Sequence, residues 1–150
     1  MANTKTSRSI LSDEEKAAMQ ETVRERKKAA KLSPEEQRTE GEKDVRAKIA
    51  EMPGEDRAIA TRIHEIVRAT APELIPRTFY GMPAYSKDGK GICFFQSKTK
   101  FKVRYSTLGF QPEAGLDDGS MWPVAFAVVK LTPADENRIA QLVKKAASRD

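Results

Sequence analysis

The feature that most constrains the fold is a change of pattern near residue 75. Before it, apolar residues recur at helical spacing, whereas after it short apolar runs are separated by turn residues such as Asp88-Gly89. A helical pattern returns only at Thr132-Pro133. Parallel strands need crossover helices between them, and residues 75–130 leave no room for any. We therefore predict an α+β fold, an antiparallel sheet of about four to five short strands with helices packed on one face.

The helices are predicted from their start signals. Capping boxes at Ser12 and Ser33 predict one helix over about 13–31 and a second helix after it. The strongest amphipathic stripe covers about 55–70, and we expect this helix to lie across the sheet. Thr132, followed by proline, begins the last helix.

The N-terminal third of the chain is expected to be a charged helical arm. Its apolar face is thin, since Met19 and Val23 are among its few large apolar residues. We therefore divide the chain into an arm at 1–41 and an α+β domain at 42–150. Two interpretations of the arm stay open: a solvated helix that packs loosely or projects, and a helix that docks on a partner or on a second copy of the chain.

Four segments are predicted as strands: 78–80, 91–95, 101–105 and 124–129. Strict alternation in the third segment would place a row of cations on one face of a strand. Such a row would bind phosphates, which makes weak sequence-independent nucleic-acid binding an alternative function, or it would protect a sheet edge from aggregation. The row consists of Lys98, Lys100, Lys102 and Arg104, and Arg77 and Lys90 would extend it.

Composition narrows the partners and the compartment. The chain has 27 Lys and Arg against 22 Asp and Glu, a net charge of +5, which gives a weak attraction to polyanions. A dedicated nucleic-acid binder concentrates its charge more strongly, so a nucleic acid is not the expected partner. No apolar stretch approaches the roughly 20 residues that span a bilayer, and the N-terminus lacks a secretory pattern. With a single cysteine, Cys93, the simplest expectation is a reducing cytoplasm and no membrane association.

A set of short motifs from Pro72 onward resembles the YdhG-like domain family, whose function is unknown. The motifs are Ala71-Pro72, Tyr80-Gly81-Met82-Pro83-Ala84-Tyr85, Gly89-Lys90, Phe94-Phe95, Thr107-Leu108-Gly109-Phe110, Leu116-Asp117-Asp118-Gly119, Met121-Trp122-Pro123 and Leu131-Thr132. With the 55–70 helix the resemblance covers about two thirds of the chain. The wider family includes frataxin-type iron chaperones, which implies iron delivery as an alternative function. The 55–70 helix gives little support to iron binding, because arginines stand between its few acidic residues.

Residue types that carry catalysis or bind metals are sparse. Cys93 lies in an apolar run, where thiols are usually inert, and His64, the only histidine, is interpreted as structural or surface-exposed. We therefore predict no catalytic residues and no enzyme activity. Glu113, Asp117 and Asp118 form the densest acid group of the domain. Asp-Gly most often forms a turn, which is the favoured interpretation of this group. A cation site, for iron or another metal, is the alternative.

The aromatic residues between 80 and 122 indicate the binding site. Several stand beside glycine or proline, where loops gather at the end of a sheet, and rings with one polar tip suit the mouth of a cleft. Core packing is the competing interpretation. We predict a non-enzymatic binding or interaction module for an unknown small molecule or protein, with self-association through the arm as a further option. The predicted ligand-binding residues are Tyr80, Met82, Tyr85, Tyr105 and Trp122, flanked by Lys102 and Arg104.

Overall fold

The computed structural model describes residues 12–149, within which the chain forms five helices and one five-stranded sheet. The helices are α1 (Asp13–Ala29), α2 (Pro34–Ala50), α3 (Gly54–Thr70), α4 (Lys98–Phe101) and α5 (Pro133–Ala147). The strands are β1 (Ile75–Phe79), β2 (Met82–Lys87), β3 (Lys90–Gln96), β4 (Ser106–Phe110) and β5 (Ala125–Val128). The strand order is β1-β2-β3-β4-β5 and every neighbouring pair is antiparallel, which confirms the predicted α+β class.

The predicted helix starts are confirmed. Ser12 and Ser33 each accept a hydrogen bond from the backbone N–H three residues later, and the glutamate there bonds back to the cap. Thr132 begins α5 in the same way with Asp135. Helix α2 runs without a break across positions 41 and 42, the predicted boundary between arm and domain. No helix in residues 12–149 has the length and apolarity to cross a membrane.

Strand β2 was not predicted, because Gly81-Met82-Pro83 has the composition of a break. Pro83 nevertheless pairs with Thr78 of β1. The pairing between β2 and β3 begins one residue later, at Ala84 and Phe94. Proline is tolerated here because its missing N–H falls beyond the end of the β3 ladder.

The strand predicted at 101–105 is wrong. Residues 98–101 form the short helix α4, Lys102 is left-handed with φ 53°, and the strand follows at β4. Ser97 caps this helix, and buried Asp56 of α3 accepts bonds from the Ser97 hydroxyl and the Thr99 N–H. Burial works to raise the pKa of Asp56, but these hydrogen bonds outweigh it and the pKa is lowered. The hydrogen bonds to buried Asp56 thus hold residues 98–101 in a helix, although apolar and polar residues alternate there as they do in a strand.

The hydrophobic core lies between the inner face of the sheet and helices α2, α3 and α5. Phe95 pairs with Leu108 across β3 and β4, and both are fully buried. The stripe predicted on α3 packs there, with Ile63 only 1% exposed. Helix α2 approaches β1 so closely that a Cβ at Gly41 would collide with the carbonyl of Pro76. Helices α2, α3 and α5 therefore cover one face of the sheet, and α2 also flanks its β1 edge.

Candidate functional site

The outer face of the sheet carries a row of side chains that spans all five strands. Successive cross-strand partners are Arg77, Ala84, Phe94, Gly109 and Ala125. Arg77 is charged, and the ring of Phe94 lies over Gly109. The other residues of the row are alanine or glycine, so their side chains are small. Directly opposed residues share a face, so the outer face is a shallow floor with one arginine at its β1 end.

Phe79 extends this floor along β1. Its ring lies 6.1 Å from that of Phe94 and 4.4 Å from that of Tyr80, measured between centroids. Phe79 and Phe94 are only half-buried. The outer face therefore presents partly exposed aromatic rings, which the helices of the inner face do not cover.

A basic groove with a volume of about 360 Å³ lies at the Arg77 end of this floor. Arg26 of α1 and Lys90 of β3 stand at its rim, and Lys90 lies 3.8 Å from Glu113 in an exposed pair. Within the described residues, neither Arg26 nor Arg77 forms an ion pair. The residues that define the basic groove are Arg26, Arg77, Phe79, Ala84, Lys90, Gln111 and the single acid Glu113.

An apolar groove of about 590 Å³ lies on the same face, towards the other end of α1. Its walls are mainly thioether and aromatic side chains, which adapt to varied apolar shapes, and Glu15 and Gln96 also line it. The residues that define the apolar groove are Met19, Tyr80, Met82, Phe94, Phe101 and Val103.

Helix α1 forms a wall of both grooves and is held at the β1–β2 turn. Tyr80 and Gly81 of this turn have positive φ angles, 52° and 73°. Their N–H groups donate to the Thr22 hydroxyl at 2.8 Å and to a Glu25 carboxylate oxygen at 3.0 Å. Burial raises the pKa of Glu25. The predicted arm therefore packs on the sheet through polar contacts, and its thin apolar face is reflected in the exposure of Val23 at 53%.

Two of the predicted ligand-binding residues, Tyr80 and Met82, lie at the apolar groove. Tyr85 does not, because it points into the core and is 1% exposed. A ligand cannot contact a side chain sealed between α3 and the sheet, so the assignment of Tyr85 to a binding surface is wrong. The burial of Tyr85 agrees with the competing interpretation of the aromatic residues, in which they pack in the hydrophobic core.

The remaining predicted residues do not gather around a cleft. Trp122 packs against the core on the β5 side of the molecule. Tyr105 is partly exposed with the Arg104 guanidinium 5.0 Å from its ring centre. Lys102 lies 2.7 Å from Glu14 of α1.

The predicted row of cations on one strand face is also absent, because residues 98–101 form a helix. Lys98 pairs with Glu55 at 3.0 Å, and Lys100 lies 3.4 Å from Glu21 while donating to the Gly81 carbonyl. These lysines tie α1 and α3 to the α4 segment. Arg77 and Lys90, expected only as extensions of the row, instead meet at the basic groove.

His64 is structural, at the centre of a buried polar chain. Its Nδ1 lies 2.8 Å from the Tyr85 hydroxyl and its Nε2 lies 2.9 Å from a Glu42 carboxylate oxygen. An ionised carboxylate only accepts, so in the neutral ring Nε2–H donates to Glu42 and Nδ1 accepts from Tyr85. Burial opposes ionisation of Glu42, but bonds from His64 and Arg46 prevail and lower its pKa. Both ring nitrogens are thereby engaged in holding α2, α3 and β2 together.

The other candidate chemical groups are placed as follows. Cys93 is buried, and burial raises the pKa of its thiol to about 12. Glu113 faces Lys90, while Asp117 and Asp118 are exposed in the loop before β5. In the part of the chain that the structure describes, no three His, Cys, Asp or Glu side chains are grouped to hold a metal ion.

Comparisons with family models, with curated proteins and with solved structures find no match for this chain. The resemblance to the YdhG-like domain family therefore stays a prediction.

Proposed function

We propose that this protein is a non-enzymatic binding module that holds a small anionic molecule with a flat apolar body on the outer face of its sheet. The observation that carries the proposal is Arg77. Arg77 and the half-buried ring of Phe79 line the same groove, two positions apart on one face of β1, and Arg77 forms no ion pair within residues 12–149. An arginine next to an aromatic floor offers paired N–H donors to a carboxylate, sulfonate or phosphate and a ring for the ligand body.

The surrounding charges support the same ligand class. Arg26 and Lys90 add positive charge at the rim, and Glu113 is the one acid that lines the basic groove. The neighbouring apolar groove supplies room for a larger apolar body, with Met82 and Phe94 in its wall. The alternatives of iron delivery and of nucleic-acid binding gain no supporting contact within residues 12–149.

The proposal is tested with anilinonaphthalene sulfonate, an anionic flat probe whose fluorescence rises in apolar surroundings. We expect saturable binding to the folded protein, weakened by salt. Arg77→Gln removes a charge-assisted contact of about 1.5–3 kcal/mol, so binding should weaken about tenfold or more.

The matched control is Arg57→Gln, which removes the same charge from an exposed position of α3. This variant should bind the probe as the wild type does. Equal affinity of Arg77→Gln and wild type, or equal losses in both variants, would contradict the proposal.

A further inference from the structure

Strand β5 is the last strand of the sheet, and no other strand of residues 12–149 pairs with its outer side. Its surface is unusually apolar. No charged residue occurs between Asp118 and Lys130. Met121 is 85% exposed, Val129 70% and Val124 46%, and these are three of the seven large apolar side chains that are most exposed in the described chain. Natural edge strands usually carry lysine, proline or a bulge that discourages pairing with another chain. The strand residues of β5 carry none of these.

The direction of the backbone groups of β5 follows from its register. Phe110 N–H donates to the Val124 carbonyl at 2.7 Å, and in the same ladder Leu108 faces Phe126. Hydrogen-bonded pairs alternate along an antiparallel ladder, so the even-numbered residues bond to β4. The N–H and C=O groups of Ala125 and Ala127 therefore point away from the sheet.

These outward groups fit a second copy of the same strand. In an antiparallel pair centred on Ala127, each Ala127 faces the other and exchanges both backbone hydrogen bonds with it, and Ala125 faces Val129, which lies in the bend after the strand of the second copy. This register keeps outer-face residues opposite outer-face residues, and it brings outward N–H groups to outward C=O groups. The facing outer side chains are small, so they do not obstruct the approach.

The charges near β5 and the symmetry of the pairing also favour a second copy of the chain as the partner of this edge. Each Lys130 lies beyond the bend that follows its strand, and the two are at opposite ends of the pair, so the two ammonium groups do not face each other. The opposite edge of the sheet is flanked by α2, whose Gly41 rests on the Pro76 carbonyl. Of the two sheet edges, residues 12–149 leave the β5 edge open and flank the β1 edge, so pairing through β5 closes on a two-fold axis and does not extend into a fibre.

We propose that two copies of this chain pair through β5 in the register centred on Ala127, which joins their sheets into one ten-stranded sheet. The inference is independent of the proposed ligand, because the basic groove lies at the β1 end. It also differs from the predicted self-association through the arm, since α1 turns Ala18 and Thr22 inward against its own chain.

Light scattering after gel filtration tests the assembly. The wild type should reach twice its monomer mass of 16.7 kDa as concentration rises. Ala127→Lys should be monomeric, because it places two ammonium groups directly opposite each other on the axis. The charge control, Thr61→Lys on the exposed face of α3, should dimerise like the wild type.

Cysteine cross-linking tests the register. In Ala127→Cys the two thiol-bearing residues lie about 5.5 Å apart between Cα atoms, within disulfide range, and oxidation should yield a covalent dimer. In Ala125→Cys they lie roughly 13 Å apart, so it should cross-link far more slowly. Native Cys93 is buried and does not compete. A wild type that is monomeric at every concentration, a dimeric Ala127→Lys variant, or equal cross-linking of the two cysteine variants would overturn the proposal.

Discussion

Replacing Tyr85 with phenylalanine tests whether the buried chain of Glu42, His64 and Tyr85 stabilises the fold. The change removes only the hydroxyl that lies 2.8 Å from His64 Nδ1. Nε2 must keep its proton to donate to Glu42, so Nδ1 is left as a buried acceptor without a donor. Such a group costs about 1–3 kcal/mol. A chain of this size melts roughly 2–4 °C lower for each kcal/mol, which gives a decrease of about 2–12 °C.

Urea unfolding followed by circular dichroism measures this free energy directly. The matched control is Tyr105→Phe, because Tyr105 is 37% exposed and lies outside the core cluster. That variant should stay within about 0.5 kcal/mol of the wild type. If Tyr85→Phe is as stable as the wild type, the hydrogen bond to His64 does not contribute to stability and our reasoning is refuted.

Two further predictions concern the packing of α2. The lowered pKa of Glu42 contributes stability above the ordinary pKa of 4.5, and this is lost as the pH falls through the folded-state pKa. Glu42→Gln should therefore be less stable than the wild type at pH 7, with a gap in unfolding free energy that narrows on acidification; a constant gap would contradict this. Gly41→Ala forces a Cβ against the Pro76 carbonyl and should cost about 1–3 kcal/mol, whereas Gly54→Ala, with open space around it, should cost nothing. Equal thermal stability of the two glycine variants would count against the close packing of α2 on β1.

Most of the helical part of the fold is predictable from the sequence because its signals are local. Capping boxes at Ser12 and Ser33 fix where helices begin, and the stripe on α3 fixes which face is buried. The sheet is less predictable. The alternation at 101–105 predicts a strand, but a buried aspartate from α3 caps residues 98–101 into a helix, and this contact is distant in sequence.

The site is less predictable still, because it depends on which face each ring occupies. Tyr85 has the residue type and the glycine-proline context of a binding residue, yet the register of β2 turns it into the core. Phe79 and Arg77 are the residues that the prediction missed as groove lining. The signal was present in the alternation of β1, which sets Arg77 and Phe79 on one face, but the sequence does not show which face the helices leave open.

The most direct test of the proposed function maps the amide resonances that move when anilinonaphthalene sulfonate is titrated into the labelled protein. We predict that the largest shifts fall on the floor and rim of the basic groove, at Arg26, Arg77, Phe79, Ala84, Lys90 and Gln111. Largest shifts around Trp122, which packs against the core cluster, or no saturable shift at all, would contradict a binding site on the outer face.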